Sequence, residues 1–184
     1  MSNDNKKPQQ PALLDPLTMS GYIMLDKEFD EKSISPIIKA IKLLNILPNK
    51  PKRILLDINS PGGKLWSLTH LLQTMKESKI PVDTHTSGLA ASCGCLLLMA
   101  GRNRTATRGS DIMSHQYAWN ASGKEHELYG RVKAFKNGSK RMIEMYKLYT
   151  GKSERYIRKF LLCPTDQWLT ANEAKKHKII DKVI

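Results

Sequence analysis

The chain has 184 residues, of which 40% are hydrophobic and 26% are charged, as is usual for one globular domain. Its longest apolar run, Cys95–Ala100, is too short to span a bilayer, and its N-terminus lacks the apolar segment of a secretory signal. Three cysteines without metal-binding spacing argue against a disulfide framework, so we expect a cytoplasmic protein with no metal, cofactor or membrane partner.

The first part of the chain predicts an arm followed by a strand and a helix. Residues 1–18 are polar and contain three prolines, which indicates a flexible arm before a single domain over residues 19–184. Tyr22–Leu25 is the first strand candidate. Ser35 and the proline after it are typical of a helix start, and apolar residues at helical spacing extend that helix to about Leu47.

The middle of the chain alternates between strand and helix patterns. Arg53–Ile58 is an almost continuous apolar run, typical of a strand covered on both faces. A turn and a helix with an apolar stripe from Leu65 to Met75 follow, and then a second strand over Pro81–Thr86. This alternation predicts an α/β fold of repeated βαβ units, with a parallel sheet covered by helices and a functional crevice at the carboxyl ends of the strands.

The last third of the chain continues with short strands and several helices. Thr105–Gln116 has the pattern of strand pieces, and a long helix is predicted from about Glu125 to Tyr149, ending at Gly151. The remaining expectations are a short helix capped by Ser153, a capping box at Thr170–Glu173 and a closing strand over Ile179–Ile184.

Small residues surround one serine in the segment Gly88–Gly94. An apolar run follows directly and predicts a buried helix, which would place Ser92 at the positive end of the helix dipole. A nucleophile would suit this position. A packing turn with an inert serine explains the composition equally well.

A serine nucleophile needs a base, and the base needs an orienting carboxylate. His115 ends a strand-like segment and Asp166 lies in a turn, so both are candidates. The alternatives are a structural histidine and a turn or cap aspartate. The segment Asn59–Gly63 has two interpretations. It could supply backbone N–H donors to a site, or it could be only a strand-to-helix turn whose glycines allow the required backbone conformation. The other histidines give no better set and no metal spacing; they are His70, His85, His126 and His177.

Several of these blocks, in this order, resemble the proteolytic subunit of the Clp protease, the ClpP family. The resemblance covers about Tyr22 to Ile184. The matching blocks are Asn59–Gly63, Gly88–Gly94, Met113–Gln116, Asp166–Ala171 with Glu173–Ala174, and Ile179–Ile184. It implies the ClpP/crotonase-like spiral of βαβ units, with a helical handle inserted at about residues 120–150. Crotonase-type enzymes share that spiral but do not use a Ser–His–Asp set.

The resemblance also implies a role for each site residue. Ser92 would attack the scissile carbonyl, with His115 as base and Asp166 as the residue that orients it. The backbone N–H groups of Gly63 and Cys93 would form the oxyanion hole. Substrate contacts would come from Gly62, Gln116 and Tyr117.

The assembly that the resemblance implies is a homo-oligomer of heptameric rings, able to stack in pairs around a chamber that admits peptides or unfolded protein. Tyr117–Asn120 stands where the family usually has Pro-Leu-Gly-Gly, and residues 1–21 lack the family's N-terminal pattern. Docking to an AAA+ unfoldase therefore stays open. Such departures are typical of divergent members of the family, phage-encoded ones included.

The net charge of +13 is concentrated in one segment of the chain. Between Arg131 and Lys159 there are ten Lys and Arg residues and two Glu residues, a balance of 10 − 2 = +8. Across a ring interface these charges would repel one another, unless they point outward or face a more acidic second ClpP-type subunit. Two alternatives to an active peptidase therefore stay open: an inactive structural ring subunit, and a nucleic-acid-binding protein, for which the sequence has no reader motif.

Overall fold

Helices and strands alternate along the chain in the computed structural model, which describes residues 15–184. The seven helices of this described part are α1 (Pro16–Met19), α2 (Glu31–Ile46), α3 (Leu65–Glu77), α4 (Cys93–Met99), α5 (Glu125–Thr150), α6 (Glu154–Phe160) and α7 (Ala171–Lys176). The strands are β1 (Tyr22–Leu25), β2 (Ile54–Ile58), β3 (Val82–Thr86), β4 (Leu89–Ala91), β5 (Arg104–Ala106), β6 (Asp111–Ser114), β7 (Gln167–Thr170) and β8 (Lys182–Val183).

Two sheets organise these elements. The larger has the order β1-β2-β3-β5-β8, and all its neighbouring strands are parallel. The smaller has the order β4-β6-β7, with β4 and β6 parallel and β7 antiparallel to β6. The expected α/β architecture with a parallel sheet is therefore confirmed.

The first long helix begins earlier than its sequence pattern predicts. Asp30, not Ser35, is the N-cap, because its carboxylate accepts a hydrogen bond from the Ser33 N–H at 2.8 Å and the Ser33 hydroxyl accepts one from the Asp30 N–H. Pro36 consequently lies inside α2. The prediction of a start at Ser35 was wrong because this capping box outweighs the preference of proline for the first helical turn.

Two short strands are absent from the sequence-based prediction. β4 has only three residues, and β7 occupies the segment expected to be a plain turn between two helices. Neither has the length or alternation that a strand prediction needs, since both are defined by pairing with β6. Three helix ends are as predicted. Helix α5 ends at Gly151, which has a left-handed φ of 67°, and Ser153 and Thr170 cap α6 and α7.

The core lies around α4, whose seven residues are all buried. Leu96 and Leu98 of this helix pack with Ile58 of β2, Leu68 of α3 and Tyr146 of α5 in one hydrophobic cluster. A helix buried on every side has little freedom to shift, because interiors are packed to crystal-like density. The residue at its N-terminus, Ser92, is therefore held in a fixed place.

The predicted arm falls mostly outside the described residues, which begin at residue 15. Asp15 caps the one-turn helix α1 by accepting hydrogen bonds from the N–H groups of Leu17 and Thr18. Among the helices of the described part, none combines the length and the apolar character needed to cross a membrane.

The contact between α4 and β3 gives a test of this packing. Gly101 follows α4, and a Cβ atom added to it would lie 2.8 Å from the backbone nitrogen of Thr84. Because backbone cannot yield as a side chain does, we expect Gly101→Ala to lower the free energy of unfolding by about 1–3 kcal/mol. Gly109→Ala is the matched control, since no atom lies within 4 Å of its added Cβ. Equal midpoints of urea unfolding for the two variants would contradict the prediction.

Candidate active site

The glycine turn Asn59–Gly63 lies beside β4 because the two segments share backbone hydrogen bonds. The Ser60 N–H donates to the Leu89 carbonyl at 2.7 Å, and the Ala91 N–H donates to the Ser60 carbonyl at 3.0 Å. The Leu89 N–H also donates to the Asn59 side-chain oxygen at 3.1 Å. These bonds bring two blocks that are 30 residues apart to the same edge of the molecule.

Ser92 occupies a strained turn between β4 and α4. Its φ of 54° and ψ of −115° are rare for a residue with a side chain and cost about 1–3 kcal/mol. Its N–H donates to the Met113 carbonyl at 2.9 Å, which fixes the turn against β6. A Cβ atom at Gly62 would lie 2.6 Å from the Cβ of Ser92, so the turn also requires a glycine there. Sharp strand-to-helix turns of this type present the nucleophile in many hydrolases.

His115 follows β6 and reaches Ser92. Its Nε2 lies 2.7 Å from the Ser92 Oγ, within hydrogen-bonding distance. Its Nδ1 lies 3.9 Å from Oδ1 of Asp166, an ion-pair distance that is too long for a hydrogen bond. The side chain of Asp166 is 58% exposed, whereas that of His115 is 23% exposed. The three predicted residues are thus brought together, with the carboxylate as the loosest member.

Two backbone N–H groups lie beside the serine without a protein acceptor among the described residues: those of Gly63 and Cys93. The Phe29 N–H donates to the Gly62 carbonyl and the Lys64 N–H donates to the Phe29 carbonyl, both at 2.7 Å, so the Gly63 N–H points away from Phe29. Cys93 is the first residue of α4, where an N–H has no partner within the helix. Both groups are available to a developing oxyanion.

A cavity of about 270 Å³ opens next to Ser92. Its wall is mostly apolar and comes from the Pro61–Leu65 turn, α4, β6 and α5. The lining residues are Pro61, Gly63, Leu65, Ser92, Cys93, Leu96, Met113, His115, Tyr117, Ala118 and Met142. Since hydroxyl, imidazole and apolar wall meet here, the site fits a substrate with an apolar side chain beside its reacting group.

The three residues assigned to substrate contact take different positions. Gly62 packs behind Ser92, and Tyr117 lines the cavity. The amide Nε2 of Gln116 donates to the Leu162 carbonyl at 3.0 Å, so this side chain holds the loop that leads to Asp166.

A buried hydroxyl pair next to His115 was not predicted from the sequence. The Ser114 Oγ donates to the Leu161 carbonyl at 2.6 Å, and the Tyr146 hydroxyl lies 2.5 Å from the same Oγ. Since serine has one hydroxyl proton and donates it to Leu161, Tyr146 donates to Ser114. Ser114 and Gln116 therefore hold the loop before Asp166 from both sides of His115. A polar residue after the apolar pair Ile112–Met113 was the available signal.

Burial makes two of the three free cysteines unreactive. It raises the pKa of the Cys93 thiol to about 12, and that of the Cys95 thiol to about 12 as well. Cys163 is partly exposed. Because a thiol and not a thiolate stands next to Ser92, Cys93 is not a competing nucleophile.

Two other histidines of residues 15–184 each contact a single hydroxyl group. The Nδ1 of His85 lies 2.8 Å from the Thr105 hydroxyl, and that of His177 lies 3.1 Å from the Tyr156 hydroxyl. In the described part of the chain, no three His, Cys, Asp or Glu side chains converge as a metal site would require.

The buried hydroxyl pair leads to a prediction about loop anchoring. Ser114→Ala leaves the Leu161 carbonyl and the Tyr146 hydroxyl without this partner, so the free energy of unfolding should fall by about 1–3 kcal/mol. Ser35→Ala, at an exposed position of α2, should change it by less than about 0.5 kcal/mol. Urea unfolding measures both, and a Ser114→Ala variant as stable as the control would exclude an anchoring role.

Comparison with known proteins identifies the family of this chain. The family model for Clp protease matches residues 5–184. The chain is similar to the ATP-dependent Clp protease proteolytic subunit 2 of Corynebacterium diphtheriae, with 32% identity over 170 residues, which are 91% of this chain and 84% of that protein. The family model covers nearly the whole length of the chain, and the chain therefore belongs to the Clp protease family.

Proposed function

We propose that this chain is a serine endopeptidase that cleaves peptide bonds with Ser92, His115 and Asp166. The observation that carries the proposal is the 2.7 Å distance between His115 Nε2 and the Oγ of a serine held at a φ of 54°. Membership of the Clp protease family supports the reaction class. Residues 19–184 would act as one protease domain.

The proposed reaction has two halves. As the Ser92 Oγ bonds to the scissile carbonyl carbon, its proton passes to His115 Nε2, and the carbonyl oxygen becomes an oxyanion bound by the N–H groups of Gly63 and Cys93. Each such donor is worth about 3 kcal/mol of barrier. When the C–N bond breaks, His115 gives the proton to the leaving amine. Water then attacks the acyl-enzyme in the same way, with His115 again as base.

Asp166 would stabilise the imidazolium that forms on His115. In the single chain its carboxylate is more than half exposed and 3.9 Å from Nδ1, so solvent weakens this interaction. The apolar cavity beside Ser92 would take the side chain before the scissile bond, which favours residues such as Leu over charged ones.

The assembly proposed for this domain follows from the family. Rings with the sites turned inward would limit access to peptides and unfolded chains. We place the protein in the cytoplasm, because all three cysteines are free, as in a reducing compartment.

Labelling with a fluorophosphonate tests the proposed nucleophile. The wild-type protein should be labelled on Ser92, and Ser92→Ala should lose labelling and at least about a thousandfold of its hydrolysis of a fluorogenic peptide. Ser87→Ala is the control, an exposed serine in the β3–β4 connection, and should behave as wild type. Labelling of Ser92→Ala at the wild-type rate would refute the assignment.

A weakly active ring subunit is the second candidate function, and the 3.9 Å separation of His115 and Asp166 favours it. Such a subunit would assemble with another ClpP-type subunit that completes the site. In that case the pure protein would resist the fluorophosphonate and would become reactive only when the second subunit is added.

The basic segment on α5 and α6 gives a prediction about assembly. Eight of its ten Lys and Arg residues are exposed, and ion pairs join Lys147 to Glu144 and Arg158 to Glu154. If α5 lies between two rings, these charges repel, and salt screens that repulsion. The two-ring fraction of the pure protein should therefore rise as the salt concentration is raised from about one third of the physiological ionic strength to about three times that value. Mass measurement checks this prediction. A stable two-ring particle of the pure protein at low salt would contradict both the expected salt dependence and the hypothesis that the rings need a more acidic partner subunit.

A further inference from the structure

Gly138 lies in the middle of α5, where a glycine is unfavourable. Glycine in a helix interior costs about 1 kcal/mol relative to alanine. Gly130, eight residues earlier on the same helix, is exposed and has open space around it, whereas Gly138 is buried. A buried glycine inside a helix indicates a close approach by another part of the chain.

The group that approaches is the ring of Tyr117. A Cβ atom on Gly138 would lie 2.6 Å from Cε1, 2.8 Å from Cζ and 3.1 Å from the hydroxyl oxygen of this ring. Favourable carbon–carbon contacts begin at about 3.5 Å, so the ring fits only because the side chain is missing. Glycine at position 138 thus creates the seat for Tyr117 on α5.

Phe135 supports the same ring from the same face of the helix. It precedes Gly138 by three residues, a spacing that places both on one side of α5. The centroids of the Phe135 and Tyr117 rings are 5.3 Å apart. The centroids of the Trp119 and Phe135 rings are 6.1 Å apart. The segment after His115 is therefore held against α5 by aromatic packing.

The ring of Tyr117 is at the same time part of the cavity next to Ser92. Met142, four residues after Gly138 on α5, lines this cavity too. A shift of the ring by about 1 Å, the distance that an added Cβ would demand, changes the width of the cavity. The position of the Tyr117 ring on α5 consequently determines the width of the cavity.

We propose that Gly138 is a positioning residue, which seats Tyr117 on α5 and so determines which side chain the cavity beside Ser92 accepts. This inference rests on the proposed peptidase function. It assigns a selectivity role to a residue that touches neither the catalytic groups nor the substrate.

The test compares Gly138→Ala with Gly130→Ala on two fluorogenic peptides that differ only in Leu or Ala before the cleaved bond. For Gly138→Ala, the ratio of kcat/KM for the Leu peptide to that for the Ala peptide should fall roughly tenfold, through a higher KM for Leu. Fluorophosphonate labelling of Ser92 should keep its rate. Gly130→Ala should match wild type in both ratio and labelling.

A double-mutant comparison separates this role from general damage to the helix. In a Tyr117→Ala background there is no ring to displace, so Gly138→Ala should leave the ratio where Tyr117→Ala alone puts it. An unchanged ratio in Gly138→Ala, an equal fall in Gly130→Ala, or a further fall in the double variant would each overturn the proposal. If Gly138→Ala does not fold, Phe135→Ala removes the second support of the ring and should lower the ratio in the same direction.

A binding measurement keeps this inference distinct from the peptidase proposal. Fluorescent product peptides ending in Leu or Ala bind without any bond being cleaved, and anisotropy gives their affinity ratio. Suppose that the wild-type protein is neither labelled nor hydrolytic, but prefers the Leu product, and that this preference falls in Gly138→Ala. That result would refute the peptidase proposal and support the positioning role of Gly138. If the wild-type protein is fully labelled and hydrolytic, but Gly138→Ala has the same affinity ratio as wild type, only the positioning role of Gly138 would be refuted.

Discussion

The parallel pairing of β4 with β6 is the interaction on which the whole site depends. It aligns Leu89–Ala91 with Asp111–Met113, so the residues that follow, Ser92 and His115, leave the sheet at the same edge. The bond from the Ser92 N–H to the Met113 carbonyl extends this pairing by one residue into the strained turn. Without it, neither the φ of Ser92 nor its distance to His115 would be fixed.

Three-residue strands do not hold such a geometry alone, and the surrounding packing supplies the rest. The fully buried α4 fixes one end of the turn, while Ser114 and Gln116 bind the carbonyls before Asp166. Backbone strain such as that at Ser92 persists only where the surroundings over-determine it, as they do here. Asp166 lies four residues beyond Leu162, the last residue whose carbonyl is bound in this way, and it is the most exposed of the three.

Much of the fold could be predicted because its signals are local. The apolar run before Asn59, the glycine at 151 and the capping box at Thr170 each determine structure within a few residues. The start of α2 and the strands β4 and β7 could not be predicted, since a competing cap and pairing with β6 decide them. For the site, residue types suggested Ser92, His115 and Asp166, and the resemblance to the family joined them into one set. The Ser114–Tyr146 pair and the contact of Tyr117 with Gly138 join residues that are 32 and 21 positions apart in the chain. No local pattern encodes contacts of that kind.

The distribution of thiols has a practical consequence for following the motion of this molecule. Cys93 and Cys95 are buried with strongly raised pKa values, while the partly exposed Cys163 stands three residues before Asp166. A maleimide dye would therefore attach to the native chain on the loop that carries Asp166, with no cysteine to remove first. Its emission would report any change in the position of that loop relative to His115.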